Sequence, residues 1–308
     1  MPLDAQAQAF ANLLVSMPMP DWSTLDVAAY RSMLAAFPPL PTLDDELASV
    51  EDGSLDGPAG PLAVRVYRPH ADGPLPVTVY FHGGGFVSGG LDTHDNICRR
   101  LANRSGSAVA AVAYRLAPEH RFPAAIDDAL AAVHCLRARA EGLNFDASRM
   151  AVAGDSAGGN VAAVVAQLLR DDGFRLAHQL LFYPVTDSTC ATASMQAWAQ
   201  APMLTGDMMR WFWRHYLPES SQGQDPRASP LRQSHLEGLP AATVITAECD
   251  PLCDEGWAYA QAMARAGVTV TQHHCLGQFH GFASMLGILG AATAAVDFGA
   301  AQLRHAFA

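Results

Sequence analysis

The sequence predicts an α/β fold, with a mostly parallel sheet and helices on both faces. Three observations carry this. Short β-rich apolar runs alternate with helical patterns through most of the chain. One such run leads straight into the glycine turn His82-Gly83-Gly84-Gly85-Phe86. Another leads through Gly154-Asp155-Ser156-Ala157-Gly158 into a helical pattern.

Taken in order, Ala7–Met17 and Leu25–Phe37 read as short helices, and Pro38-Pro39-Leu40-Pro41 ends the second. Leu62–Tyr67 alternates like a half-buried strand. Val77–Phe81, Ala108–Val112, Met150–Ala153, His178–Phe182, Ala242–Ala247 and Val268–Cys275 read as further strands. Such runs suit strands buried on both faces of a parallel sheet. Helical patterns at Asn96–Arg104, Ala124–Ala140, Asn160–Arg170 and Glu255–Ala266 lie between them. Short antiparallel strands are expected to open the sheet. One region breaks the rhythm. From Cys190 to about Leu236, a helical pattern holds Met208, Met209, Trp211, Phe212 and Trp213, followed by turn prolines. It falls between two strand units and reads as an insertion that pairs with the N-terminal helices as a lid. The Met/Trp cluster is either ordinary core or the lining of an apolar acyl pocket. The expected division is therefore residues 1–45 as cap helices, 46–189 and 237–308 as catalytic core, and 190–236 as cap insertion.

Composition narrows the function. The 308 residues carry 19 basic and 30 acidic side chains, a formal charge of −11, and none of the basic residues is lysine. An acidic balance argues against nucleic acid as partner, because phosphate binding needs a basic surface. No apolar run approaches the roughly 20 residues of a spanning helix. The N-terminus lacks the pattern of a signal peptide. The six cysteines are scattered, which suits reduced thiols in a cytoplasmic enzyme. Cys249 and Cys253 have no second pair at zinc spacing, and no H-E-x-x-H appears, so no metal is expected.

The chemistry sits in the two glycine-bearing turns. A G-x-S-x-G match arises by chance roughly 0.1 times at this composition, so its setting matters more than its letters. A strand before and a helix after are what a nucleophile elbow requires. The helix then aims its N-terminal dipole at the site. Glycines after a strand expose adjacent N–H groups, so Gly83, Gly84 and Gly85, with Ala157, form the candidate oxyanion hole. Within this set, Gly84 and Gly85 are the preferred donors and Gly83 shapes the turn. His82 is expected to brace the loop, and Asp155 to serve as a structural hydrogen-bond partner. A serine nucleophile needs a base and an orienting carboxylate. Asp250 follows one late strand and His280 the last, in the chain order Ser, Asp, His. His273 and His274 compete as bases but lie within a strand. Glu248, Asp254 and Glu255 compete with Asp250, the last two at a helix start. Without lysine, a Ser–Lys dyad and Schiff-base chemistry are excluded.

From about Val64 to Phe282 the chain resembles the bacterial hormone-sensitive-lipase-like family of α/β-hydrolase carboxylesterases. HGGGF, the run Tyr114–Ala125 (YRLAPEHRFPAA), GDSAGGN, Asp250–Gly256 (DPLCDEG) and His280-Gly281-Phe282 carry the likeness in order. The resemblance implies an α/β-hydrolase fold with an eight-stranded sheet and a helical cap. It implies cofactor-free hydrolysis of short- to medium-chain carboxylic esters, and a homodimer through the last strand and its flanking helices. On this reading Ser156, Asp250 and His280 form the triad. Lactone, thioester, amide and acyl-transfer chemistry would use the same triad. A non-catalytic binding module would lack a member of it.

Overall fold

The computed structural model describes residues 3–15 and 20–308. Helix α1 (Ala5–Val15) and helix α2 (Val27–Ala35) come first. The end of the first expected helix, at Ser16 and Met17, lies outside the described residues. Asp26 caps α2 by accepting the Ala29 N–H at 2.7 Å. Strands β1 (Ser49–Gly57), β2 (Gly60–Arg68) and β3 (Leu75–Phe81) follow, then α3 (Asp95–Ser105), β4 (Ala108–Val112) and α4 (Ala124–Ala138). Next come β5 (Phe145–Asp155), α5 (Ala157–Asp171) and β6 (His178–Phe182). Helices α6 (Ala193–Ala197) and α7 (Gly206–Tyr216) fill the stretch before β7 (Ala242–Cys249). The chain closes with α8 (Cys253–Arg265), β8 (Val270–Phe279) and α9 (Gly290–Ala306).

The eight strands form one sheet in the order β1-β2-β4-β3-β5-β6-β7-β8. β1–β2 and β2–β4 pair antiparallel, and the remaining pairs are parallel. The sheet thus opens with antiparallel strands and continues parallel, as the sequence predicts. The sequence pattern does not delimit β1, α6 or α9. β1 (SVEDGSLDG) is mostly exposed and polar.

Alternation along the parallel strands feeds two cores. Val77, Val79 and Phe81 of β3, with Met150 and Val152 of β5, face the layer of α4, α5 and α8. Tyr80, Ala151 and Ala153 face α3 and α9. Both faces are buried, which explains why these strands read as continuous apolar runs. The sheet's consequence for function lies at its carboxyl edge. β3, β5, β7 and β8 end at Phe81, Asp155, Cys249 and Phe279. Each therefore delivers the next residues, His82, Ser156, Asp250 and His280, to one side of the molecule. In open parallel sheets this edge is where ligands bind.

Candidate active site

Ser156 sits between β5 and α5 with φ 54° and ψ −120°. A non-glycine residue rarely adopts positive φ, and such strain collects at functional sites. Its N–H donates to the Phe182 carbonyl at 2.9 Å, which fixes the turn. The turn is tight enough to need glycine at position 158. A Cβ there would lie 1.9 Å from the Phe81 carbonyl oxygen.

His280 and Asp250 meet this serine. His280 Nε2 lies 2.8 Å from Ser156 Oγ, and His280 Nδ1 lies 2.8 Å from Asp250 Oδ2. Asp250 is fully buried, and its Oδ1 accepts the Leu252 N–H at 2.8 Å. That bond leaves Oδ2 for the imidazole. The competing groups are engaged elsewhere. His273 stacks on Phe298 at 4.4 Å. His274 Nδ1 bonds the Thr246 hydroxyl at 3.0 Å. Glu248 accepts the Gly277 N–H at 2.7 Å. Asp254 and Glu255 lie in the first turn of α8, where Asp254 accepts the Ser194 N–H at 2.7 Å.

The glycine loop is held from three sides. Gly84 and Gly85 have φ of +118° and +61°. Among the described residues, the N–H groups of Gly84, Gly85 and Ala157 have no protein acceptor. Gly83 differs, which corrects its inclusion among the candidate donors. Its N–H donates to Asp155 Oδ1 at 2.9 Å, so it is committed before any substrate arrives. Asp155 also accepts the Tyr80 hydroxyl at 2.7 Å, and His94 Nε2 lies 3.3 Å from its second oxygen. Burial works to raise its pKa, but the charge and hydrogen bond of His94 and the Tyr80 bond outweigh it, so the carboxyl is held below its usual value. His82 hydrogen-bonds the Gly83 carbonyl through Nδ1 at 2.8 Å and stacks on Tyr114 at 4.4 Å. Burial drives its pKa down to about 4, which leaves a neutral brace rather than a base. Tyr80, His94 and Tyr114 complete this support. Sequence reasoning did not identify them, because no local pattern marks residues that meet only in the fold.

Helices α2 and α7 cover the loop. Arg31 of α2 donates Nε to the Val87 carbonyl at 2.7 Å and NH2 to the Ala117 carbonyl at 2.8 Å. Trp211 donates its indole N–H to the Leu25 carbonyl at 3.0 Å. Tyr30 packs edge-on against Trp211 and Phe212. Phe86, next to Gly85, stacks on Tyr216 at 3.8 Å. A Cβ on Gly85 would meet the Phe212 ring at 2.2 Å, so the loop and α7 fit without spare room. All five Met/Trp-cluster residues are buried in the core that includes this contact.

Among the described residues, no group of three His, Cys, Asp or Glu side chains could hold a metal ion. No described helix is long and apolar enough to cross a membrane.

The profile of the alpha/beta hydrolase fold family matches residues 78–284. The chain is 42% identical over 283 residues to "Esterase LipI" of Mycobacterium tuberculosis, covering 90% of this chain and 88% of that protein. It is 42% identical over 251 residues to "Ethyl acetate hydrolase" of Pseudomonas putida, covering 80% and 79%. Among solved structures, the hyperthermophilic esterase of Pyrobaculum calidifontis superposes with a TM-score of 0.92 at 40% identity, over 100% of both chains. The chain therefore belongs to the α/β-hydrolase family, in its hormone-sensitive-lipase-like carboxylesterase branch.

Proposed function

We propose that this protein is a serine carboxylesterase that hydrolyses short- to medium-chain esters through an acyl-serine. The observation that carries the reading is the hydrogen-bonded chain Ser156–His280–Asp250, at 2.8 Å per link, beside three N–H groups that have no acceptor among the described residues. His280 takes the Ser156 proton as Oγ attacks the ester carbonyl, and Asp250 holds the imidazole and stabilises its charged form. The N–H groups of Gly84, Gly85 and Ala157 receive the tetrahedral oxyanion, aided by the α5 dipole. His280 protonates the departing alcohol. Water activated by the same imidazole then releases the acid and restores Ser156.

The cap is assigned as residues 1–45 and 190–236, with the remainder as core. Its support is the contact of α2 and α7 with each other and with the glycine loop. The scattered placement of the six cysteines suits reduced thiols and favours the cytoplasm. A homodimer through β8 is proposed from that strand's position at the sheet edge, and sedimentation tests it.

The test of the mechanism is Ser156→Ala against a short nitrophenyl ester, with circular dichroism to show the fold is kept. Hydrolysis should vanish, and an organophosphonate adduct should map to Ser156 in the native chain. Full activity in the variant, or an adduct elsewhere, rejects the mechanism.

A further inference from the structure

A cavity of about 550 Å³ lies against α7. Arg210, Trp213, Arg214 and Leu217 line it, spaced so that all four share one helical face. Arg121, Cys190, Pro218 and the hydroxyl residues Ser188, Thr189 and Ser220 complete the wall. None of the proposed triad residues or oxyanion donors borders it.

We propose that this cavity binds a small organic carboxylate with an apolar body. Three guanidinium groups converge on one cleft in a chain of net charge −11. Arg210 is partly neutralised by Asp207 at 2.7 Å. Arg121 and Arg214 hold no ion pair among the described residues. They donate to the backbone carbonyls of Leu217, at 3.4 Å, and Trp22, at 3.0 Å. A guanidinium carries five donors, so most of each fork remains available to an anion. Trp213, 94% buried, adds apolar ring surface to the same wall.

The rest of the lining selects the class of anion. Trp213 and Leu217 are apolar and buried. Burial pushes the Cys190 thiol up to about 12, so it brings no competing negative charge. An apolar floor beneath a cationic rim fits an organic acid better than free phosphate. The cavity also touches the ester site indirectly, since Trp213 packs on Phe86 with ring centres 5.7 Å apart, beside Gly85. The assignment extends the esterase reading, because ester hydrolysis releases such an acid, but its test reads binding without turnover.

The experiment is calorimetric titration of the full chain at low salt with benzoate, its neutral isostere benzamide, and inorganic phosphate. Benzoate should bind saturably, and benzamide and phosphate at least tenfold more weakly. Arg121→Gln/Arg214→Gln should weaken benzoate at least tenfold while the far-UV spectrum and melting temperature hold. The corresponding Lys pair should recover part of the loss. Protein phosphonylated at Ser156 should still bind benzoate. Loss of binding on phosphonylation would place the acid in the ester site alone and overturn the proposal. So would undiminished binding in the Gln pair, equal binding of benzamide or phosphate, or no saturable binding. If the phosphonate fails to label Ser156, the nucleophile assignment fails instead, and the arginine variants still decide this one.

Discussion

Asp155 Oδ1 accepts the Gly83 backbone N–H at 2.9 Å, so the residue preceding the elbow serine grips the first glycine of the loop opposite. The two elements come from different strand ends, β5 and β3, and this bond sets their spacing. Asp155 is 4% exposed and has its bonds from Tyr80 and Gly83 converging on the same oxygen. Asn keeps the shape but loses the charge. Asp155→Asn should lower kcat by one to two orders of magnitude, about 1.4–2.7 kcal/mol, with a smaller change in KM. Steady-state kinetics on a nitrophenyl ester check this. A lowered melting temperature with unchanged kcat would reduce Asp155 to a purely structural role.

The choice of base is testable by ranking. His280→Ala should fall to the level of Ser156→Ala, because it removes the imidazole placed on Oγ. His273→Ala and His274→Ala should keep at least about half of the native rate, since general-base losses of 10²–10⁴ arise only at the reacting proton. Parallel measurement of the three variants decides the matter, and the opposite order would move the base.

Much of this site was legible because parallel strands are local objects. Their apolar runs end where the chemistry begins, so Ser156, Asp250 and His280 could be placed on strand ends without knowing the pairing. What could not be read depends on partners far along the chain. β1 carries little apolar alternation of its own, and nine cross-strand pairs from Ser49↔Arg68 to Gly57↔Gly60 hold it to β2. α9 is alanine-rich, and its buried face is defined by the sheet beneath it. The glycine loop shows the same limit on a smaller scale. The sequence favours Gly84 and Gly85 over Gly83 as donors, but only the fold brings Asp155 to the Gly83 N–H while leaving those of Gly84 and Gly85 without an acceptor among the described residues.

Buried titratable groups predict the pH profile of stability. Glu255 is buried and accepts the Thr186 and Asp187 N–H groups at 2.6 and 3.2 Å, and burial pushes its pKa up from 4.5 to about 8. The fold therefore prefers its neutral form, and stability is lost as pH rises from about 4.5 to 8. His82 and His178 are pushed down by burial from 6.5 to about 4, so stability is lost as pH falls through that window. Between 4.5 and 6.5 the two histidines outweigh one glutamate. Above 6.5 only the glutamate term remains. Stability should peak near pH 6.5 and fall by about 2 kcal/mol towards pH 8, at about 1.36 kcal/mol per unit. Glu255→Gln should flatten this alkaline limb and leave the acid limb in place. Urea unfolding from pH 5 to 8.5 measures both limbs, and an unchanged alkaline slope in the variant would refute the assignment.

Arg31 makes two kinds of bond with one side chain. Arg31 forms a two-pronged pair with Glu119 at 2.7 and 2.9 Å, and its hydrogen bonds hold the Glu119 carboxyl down at about 2. Glu119 is more than half exposed, and exposed pairs of this kind contribute about 0–1 kcal/mol. The same guanidinium also satisfies the carbonyls of Val87 and Ala117, residues that are buried beside the glycine loop. A buried acceptor left without its donor costs about 1–3 kcal/mol. Glu119→Gln should therefore cost less than about 1 kcal/mol and leave the kinetics nearly unchanged. Arg31→Ala should cost more, and it should also raise KM, because α2 loses its hold on the segment that carries Phe86 and Val87. Urea unfolding and steady-state kinetics on the two variants give the order directly. Equal costs, or a larger effect from Glu119, would show that the surface ion pair and not the backbone clamp fastens α2 to the loop.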